Sequence, residues 1–288
     1  MKRKLIRYLF LISLLPIGWL AASYAASVYT TRPNTVDLPE AEKFFDFAVE
    51  KWRYQAKDGI QLNAWFLPAT NRSKAVILLN GLRGNKSGMV KRALLYHDAG
   101  YQVLMPDLRG TGESQEAVIT FGWREQLDLQ ASIQELHNRG IDTLAAHGIS
   151  LGAATIAYSL AENPAFEFLV LESCYDNIRQ ALKNRIEPYG LPPFLFQGIQ
   201  IITEWRIGAS AEKLAPEYYL SSNQTPTLFI AGEAEQKVKK EESERLYEAC
   251  PAPIKALKLI PGAKHENFMN RYEAEMNTYL GDWLEQFQ

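Results

Sequence analysis

A serine between two glycines is the part of the sequence whose residue types and spacing best suit chemistry. Gly148, Ser150 and Gly152 form the pattern Gly-x-Ser-x-Gly, with a short apolar run before it and an alanine-rich helical pattern after it. This arrangement predicts a nucleophile elbow, a sharp strand-to-helix turn that exposes the serine hydroxyl. The glycines are needed because a Cβ at either position would collide with the neighbouring strand or helix. Ser150 is therefore the candidate nucleophile.

Short apolar runs alternate with helical patterns along most of the chain, as expected of a parallel sheet covered by helices. The first two strands are predicted to form an antiparallel hairpin, because an Asp-Gly turn lies between them. Strands are predicted at 51–55, 62–67, 75–79, 101–105, 144–147, 168–171, 227–231 and 256–260, and helices at 90–99 and 126–139. The predicted fold class is α/β, with a mostly parallel sheet flanked by helices.

Residues 175–222 interrupt this alternation with several prolines, glycines and aromatic residues. The segment follows the C-terminal end of a strand, which is where sheets of this kind bind ligands. We therefore expect a cap-like insertion, a short helical cap over the site. An ordinary helix with a long loop before it explains the same sequence equally well.

The first 30 residues differ from the rest of the chain. Four basic residues at positions 2–7 precede a run without charged residues at 8–26. This pattern is typical of a secretory signal peptide, with Ser23-Tyr24-Ala25 as a cleavage site, or of an uncleaved transmembrane anchor. In both cases the domain is expected outside the cytoplasm, in a periplasmic or extracellular position, because the basic residues stay on the cytoplasmic side. Membrane contact is expected through residues 8–26.

Composition limits the remaining possibilities. The chain has 288 residues, of which 47% are hydrophobic, enough for one sizeable core. We expect a linker and lead-in segment at 31–49 and one domain at 50–288. A formal charge of −2 argues against nucleic-acid binding. With two cysteines and four scattered histidines, we expect neither a disulfide framework nor a metal site. The sequence contains no nucleotide-binding motif, so we expect no cofactor.

Four motifs, taken in chain order, resemble those of the α/β-hydrolase superfamily, and more narrowly its small-capped serine esterases, lipases and peptidase-like members. They are Leu-Asn-Gly-Leu-Arg-Gly-Asn at 79–85, Asp-Leu-Arg-Gly-Thr-Gly-Glu-Ser at 107–114, the elbow at 148–152 and Gly-Ala-Lys-His at 262–265. The resemblance spans about residues 50–287. It implies an α/β-hydrolase fold and a catalytic triad in the chain order serine, acid, histidine. Asp107 and Arg109 are expected to brace a loop rather than to react.

The triad that this resemblance implies needs a base near the serine and an acid that orients the base. His265 is the expected base, because it follows the last predicted strand in a Pro-Gly-Ala-Lys loop. His97 and His137 fall within helical patterns before the serine and are expected to be solvated. His147 ends the strand that leads into the elbow and is expected to be packed in the core.

The acid departs from the superfamily pattern Gly-x-x-Asp, because this chain has Gly-Glu-Ala-Glu at 232–235. Glu235 falls on the acid's position, and glutamate is an accepted alternative there. Glu233 in the same loop and Asp176 after the preceding strand remain alternative acids.

The resemblance also implies an oxyanion hole made of two backbone N–H groups. One is expected from Leu151, next to the nucleophile, and the other from Leu82 in the loop after the strand at 75–79. Asn80 stands where the superfamily commonly has histidine, and its side chain can brace the same loop.

The leading hypothesis is a serine hydrolase that cleaves carboxylic esters through an acyl-enzyme intermediate, with a Ser-Glu-His triad. The leader and the aromatic-rich cap favour an apolar acyl ester or a lipid-derived substrate. A peptidase or acyltransferase with the same triad is one alternative. A catalytically inactive, membrane-tethered binding protein is another, since the acid, Asn80 and Lys239, which stands where the superfamily usually has proline, all depart from the pattern. The sequence leaves the oligomeric state undetermined.

Overall fold

The chain alternates strands and helices through most of its length, as the sequence predicts. The structure, a computed structural model, describes residues 2–69, 73–190 and 194–287, with the backbone alone for residues 2–12, 189, 194 and 195. The strands are β1 Asn34–Thr35, β2 Glu50–Gln55, β3 Gln61–Leu67, β4 Lys74–Leu79, β5 Gln102–Pro106, β6 Thr111–Gly112, β7 Thr143–Ile149, β8 Phe166–Glu172, β9 Thr227–Gly232 and β10 Lys255–Ile260. The helices are α1 Lys2–Thr31, α2 Val90–Asp98, α3 Gln126–Asn138, α4 Leu151–Ser159, α5 Ile178–Ile186, α6 Phe194–Ile207, α7 Pro216–Leu220, α8 Lys240–Ala249, α9 Phe268–Arg271 and α10 Glu273–Leu284.

The main sheet has the strand order β2-β3-β5-β4-β7-β8-β9-β10 in the described part of the chain. Strand β3 pairs antiparallel with β2 and β5, and the remaining neighbours pair parallel. The Asp-Gly hairpin is confirmed, with Gly59 at φ +85° in its turn. Each predicted strand or helix lies within two residues of an observed one.

Helices cover both faces of the sheet, which explains the continuous apolar runs in the parallel strands. Successive side chains of a strand point to opposite faces. In β4, Ile77 and Leu79 join the core on the side of α3 and α4, whereas Val76 and Leu78 join the core on the side of α2 and α10.

The N-terminal helix α1 packs along α6 of the predicted cap. A Cβ at Gly198 of α6 would lie 2.5 Å from Ser23 Oγ and 2.6 Å from the Trp19 ring, so the two helices are in close contact. The hydroxyls of Ser27 and Thr203 lie 3.0 Å apart in the same interface. Within the described residues, no helix is both long enough and apolar enough to cross a membrane. The basic residues at 2–7 and the start of the apolar run lie outside the described side chains, so the signal peptide and the anchor remain predictions.

The predicted cap and the predicted linker both contact the sheet domain. Residues 175–222 contain α5, α6 and α7, and residues 191–193 of that segment lie outside the described chain. In the predicted linker, β1 pairs with β6, and Phe45 is buried with its ring 6.1 Å from that of Trp65.

A buried polar network lies beneath the elbow. Arg92 of α2 donates to both carboxylate oxygens of Glu172, at 2.7 and 2.5 Å, and His147 Nε2 contacts the same carboxylate. Tyr96 completes the network with its hydroxyl 2.9 Å from His147 Nδ1. Burial lowers the pKa of His147 although the Glu172 carboxylate opposes this shift. The side chain is fully buried, so it is the core residue that the sequence predicts. Although burial opposes ionisation, Arg92 and His147 lower the pKa of Glu172 to about 2.

The depressed pKa of Glu172 predicts a pH-dependent contribution to stability. The carboxylate stabilises the fold above its ordinary pKa of 4.5, and this contribution is lost as the pH falls from about 4.5 towards 2. Glu172→Gln should lower the free energy of unfolding at pH 7 by about 3 kcal/mol, because it leaves Arg92 buried without a counter-charge. Urea unfolding at pH 7, 5 and 3.5 should show the deficit narrowing below pH 4.5. A loss of unfolding free energy that stays constant with pH would contradict the low pKa of Glu172. Glu285→Gln, at an exposed position, is the control.

Candidate active site

The elbow at Ser150 has the strained geometry that its flanking glycines predict. Ser150 has φ +51° and ψ −103°, between the end of β7 and the start of α4. A Cβ at Gly148 would lie 2.4 Å from the Gly152 carbonyl carbon, and a Cβ at Gly152 would lie 2.4 Å from the carbonyl oxygen of Leu79. Neither position accepts a side chain without movement of the backbone, so the glycines allow β4, β7 and α4 to approach closely enough to form the turn.

The sheet order brings the sequence-predicted site residues to one edge. Strands β4, β7, β8, β9 and β10 are neighbours and parallel, so their C-terminal ends lie together. The loop at 80–85 follows β4, Ser150 follows β7, Ser173 follows β8, Glu235 follows β9 and His265 follows β10. Residues separated by up to 185 positions in the sequence therefore lie at the same edge of the sheet, because each follows the C-terminal end of one of these strands.

Glu235 is hydrogen-bonded to His265. Its Oε2 lies 2.6 Å from His265 Nδ1, while Oε1 accepts from the Ser173 hydroxyl at 2.6 Å and from the Gly232 amide at 2.9 Å. The carboxylate is buried, and the imidazole is 20% exposed. Because Oε1 is held by two donors, Oε2 is directed at the ring, a contact that favours the Nδ1–H tautomer and leaves Nε2 free to accept a proton.

Backbone hydrogen bonds hold the loops of Glu235 and His265 against each other. The Glu233 amide donates to Ile260 O at 3.0 Å, and the Ala234 amide donates to Ala263 O at 2.9 Å. On the other side of His265, the side chain of Asn267 accepts from Arg92 Nη1 at 2.9 Å. The backbone of His265 is thus held on one side by the Glu235 loop and on the other side by the contact between Asn267 and Arg92.

The other acidic and histidine candidates lie elsewhere. Asp176 is paired with Arg245 at 2.6 Å and faces a separate polar cavity, and the Glu233 side chain is exposed. Neither carboxylate contacts His265 in the described structure. His97 binds the carbonyl of Pro68, and His137 pairs with Asp142, both at the protein surface.

The two predicted oxyanion donors line the same cavity as Ser150. Leu151 is the first residue of α4, where backbone amides have no acceptor within the helix. The Leu82 amide donates no hydrogen bond in the portion of the chain that is described. A Cβ at Gly81 would lie 3.7 Å from the Ser150 Cβ, so the loop after β4 lies directly against the elbow.

Buried ion pairs brace the loops around these donors, as predicted for Asp107 and Arg109. Asp107 accepts from the Lys86 ammonium and from the Lys86 amide, at 2.5 and 2.7 Å. Arg109 binds Asp128 and Asp58, each at 2.6 Å. Asp107 and Arg109 are not among the residues that line the cavity, which is consistent with a bracing role.

A cavity of about 600 Å³ connects the site to the surface. Ser150 and His265 both line it, together with apolar side chains from the elbow and α5. No hydrogen bond from the Ser150 hydroxyl occurs among the described residues, and such contacts are often long before a substrate binds. No cluster of three or more His, Cys, Asp or Glu side chains suited to a metal ion occurs among them either.

Sequence reasoning missed several residues of this site. Ser173, which holds Glu235, directly follows β8 and has φ +47°. Its place just after a predicted strand is the signal in the sequence that could have identified it. Tyr29 and Thr30 line the cavity although they belong to α1, and Arg185 lines it from α5. No motif identifies these three, because only the packing of α1 and α5 over the sheet brings them there.

The sequence has detectable relatives over most of its length. Residues 88–287 match the model of the prolyl oligopeptidase family. The uncharacterized protein YqkD of Bacillus subtilis is 27% identical over 72% of this chain and 70% of its own length. The uncharacterized protein YfhR of Escherichia coli K12 is 26% identical over 83% of this chain and 81% of its own, and the uncharacterized membrane protein YNL320W of Saccharomyces cerevisiae is 25% identical over 81% and 78%.

Solved structures share the fold. The Pyrococcus furiosus esterase Pf2001 superposes with a TM-score of 0.73 at 22% identity, covering 88% of this chain and 98% of that one. The esterase EaEST of Exiguobacterium antarcticum gives a TM-score of 0.61 at 16% identity, covering 82% and 100%. At these identities the similarity establishes the α/β-hydrolase fold.

The close approach at Gly152 generates a stability prediction. Gly152→Ala should lower the free energy of unfolding by about 1–3 kcal/mol, because the new methyl group meets the carbonyl of Leu79 in a packed backbone. Gly281→Ala in α10 is the matched control, since its Cβ would have open space, and it should be neutral or stabilising by up to about 1 kcal/mol. Urea unfolding of both variants checks this, and equal stability of Gly152→Ala and the parent chain would refute it.

Proposed function

Because the chain belongs to the prolyl oligopeptidase family, we propose that it is a serine hydrolase that cleaves carboxylic esters through an acyl-enzyme intermediate. The observation that carries this proposal is the 2.6 Å contact between His265 and Glu235 at the cavity that Ser150 also lines. The esterases among the similar structures support the choice of esters.

In the proposed reaction, Ser150 Oγ attacks the ester carbonyl carbon while His265 Nε2 takes the hydroxyl proton. Glu235 stabilises the imidazolium that forms. The tetrahedral oxyanion accepts hydrogen bonds from the amides of Leu151 and Leu82. Its collapse breaks the ester bond, and His265 returns the proton to the departing alkoxide. Water then attacks the acyl-serine with His265 again as base, releasing the acid and Ser150.

A peptidase that uses the same residues is the second candidate, favoured by the name of the matching family. The two activities differ in the leaving group, which is an alcohol in one and an amine in the other. Acyl p-nitroanilides matched to p-nitrophenyl esters of the same acyl group distinguish them. If the chain is an esterase, the ratio of kcat/KM for an ester to that for the matched anilide should exceed the ratio of their uncatalysed hydrolysis rates.

The triad proposal is tested with p-nitrophenyl butyrate. Ser150→Ala should lower kcat by at least about 10³-fold, and Glu235→Gln by about 10²- to 10⁴-fold. Glu233→Gln is the matched control, because Glu233 lies in the same loop and its side chain is exposed; it should retain activity.

A fluorophosphonate probe should label the parent chain at Ser150. An unlabelled and inactive parent chain would instead favour the catalytically inactive binding protein. A large loss in Glu233→Gln combined with full activity in Glu235→Gln would move the acid to Glu233.

We further propose that the protein is exported and contacts a lipid membrane through α1 and α6. The surface formed by these two helices exposes large apolar side chains, namely Leu14, Leu15, Ile17, Leu20, Tyr24, Tyr29, Ile201 and Trp205. Part of this surface belongs to the uncharged run at 8–26. The basic residues at 2–7, which precede that run, suit anionic lipid headgroups. The yeast relative is named a membrane protein, which agrees with the proposal. The cavity opens beside this surface, because Tyr29 of α1 lines it.

Vesicle sedimentation of the full chain tests the membrane proposal. Replacement of both Ile201 and Trp205 by glutamate should lower binding to phosphatidylglycerol vesicles several-fold, because it places charges in the apolar interface. Tyr218→Glu on α7 is the matched control, since Tyr218 is similarly exposed and α7 packs against α4 and α8. Undiminished binding of the double variant would eliminate this surface as the contact.

A further inference from the structure

Three cationic side chains surround the cavity of Ser150, and each comes from a different element. Arg83 lies in the loop after β4, next to Leu82, and Arg185 lies on α5. Lys237 follows Glu235 by two residues in the loop after β9. In the described ranges of the chain, none of the three forms an ion pair.

The hydrogen bonds of Arg185 within the described ranges go to backbone carbonyls of the cavity wall. Its Nη1 donates to Ala181 O at 2.6 Å and to Lys237 O at 3.2 Å. A guanidinium has five N–H donors, so Nε and Nη2 have capacity for further acceptors. The side chain is half-buried, and burial lowers its pKa. A cation in this position is stabilised when an anion binds beside it.

Arg83 has a similar surplus of donors. Its Nη2 donates to Tyr29 O at 3.0 Å, and its guanidinium lies 4.7 Å from the centre of the Tyr29 ring. The Nε atom is buried without a hydrogen-bond partner in the described structure. Contact with α1 thus orients the guanidinium at the cavity and leaves part of its hydrogen-bonding capacity unused.

The acidic side chains near the cavity do not balance these charges. Glu266 lines the wall, but its carboxylate lies 3.1 Å from Arg271 Nε, outside the lining. Glu235 is engaged with His265. Glu242 acts electrostatically on Arg185, but it does not line the cavity, and its carboxylate accepts from the Asn184 side chain and the Lys239 amide. The residues that line the cavity therefore carry more positive than negative charge, beside an apolar wall that includes Leu182 and Phe121.

We propose that the substrate is an ester that carries an anionic oxygen group, a carboxylate or a phosphate, which binds Arg185 and Lys237. The apolar part of the substrate contacts the wall between these cations and Ser150. This inference rests on the proposed hydrolase function and names its substrate class. Charge-assisted hydrogen bonds to a guanidinium and an ammonium give selectivity over a neutral ester of the same length.

Two matched pairs of esters test the substrate class and separate the two anions. The first pair is mono-p-nitrophenyl glutarate and p-nitrophenyl pentanoate, which differ by a terminal carboxylate. The second is a 1-acylglycerol 3-phosphate and the corresponding 1-acylglycerol. The kcat/KM ratio of anionic to neutral ester should exceed about tenfold in at least one pair, and should fall as salt is raised from 50 to 500 mM because salt screens the attraction.

Variants identify the residues that give the selectivity. Arg185→Gln and Lys237→Gln should each reduce the ratio several-fold, and Arg185→Lys should restore part of it because it retains the charge. Arg179→Gln is the matched control, since Arg179 lies on the same helix but is exposed and paired with Glu212. It should leave the ratio unchanged. A ratio near one in both pairs, or one that these variants do not alter, overturns the proposal.

A binding measurement separates this proposal from the hydrolase proposal. Calorimetry with Ser150→Ala should show tighter binding of mono-p-nitrophenyl glutarate or the acylglycerol phosphate than of the neutral partner, with the difference reduced by Arg185→Gln. If the parent chain hydrolyses no ester while this difference persists, the hydrolase proposal fails and the anion site stands. Equal binding of charged and neutral probes, together with hydrolysis of both, overturns the anion site alone.

Discussion

The buried ion pair between Arg92 and Glu172 is the interaction on which the arrangement of the site depends. Glu172 ends β8, its carbonyl accepts the Ser150 amide at 2.8 Å, and its carboxylate contacts His147 in β7. Arg92 extends from α2 to this carboxylate and to Asn267 beside His265. One pair of opposite charges therefore connects the elbow strand, its neighbour and the loop of the proposed base. Separation of buried charges is costly, so these elements are held in one arrangement.

Strain at Ser150 is compatible with stability because the packing around it is rigid. A positive φ at a non-glycine residue costs of order 1–3 kcal/mol. Here β4, β7 and α4 meet at two glycines where no side chain fits, so the turn has no room to relax. The same packing holds Leu151 and the loop that contains Leu82 against the elbow, and preorganisation of this kind is what the oxyanion role proposed for their amides requires.

The N-terminal segment has a closer relation to the site than its composition suggests. In the sequence it has the character of a leader, a run of apolar residues after a basic start. In the structure its C-terminal end lines the cavity, and the Tyr29 carbonyl and ring hold Arg83 next to Leu82, the proposed oxyanion donor. Further along, Asn34 donates to the carbonyl of Arg83 at 2.9 Å. The segment thus contributes to the shape of the loop at 80–85, which lines the cavity.

The sequence by itself determined the features that depend on local sterics and periodicity: the elbow at Ser150, the Asp-Gly hairpin and the order of strands and helices. The resemblance to the α/β-hydrolase superfamily also indicated His265 and Glu235, since both fall at the positions that its chain order of serine, acid and histidine implies. Only the tertiary structure decided that Glu235, rather than Asp176, meets His265, and that Ser173 holds it. It alone brought Tyr29 and Arg185 to the cavity. Such contacts depend on how separate elements pack, which no short-range pattern in the chain encodes.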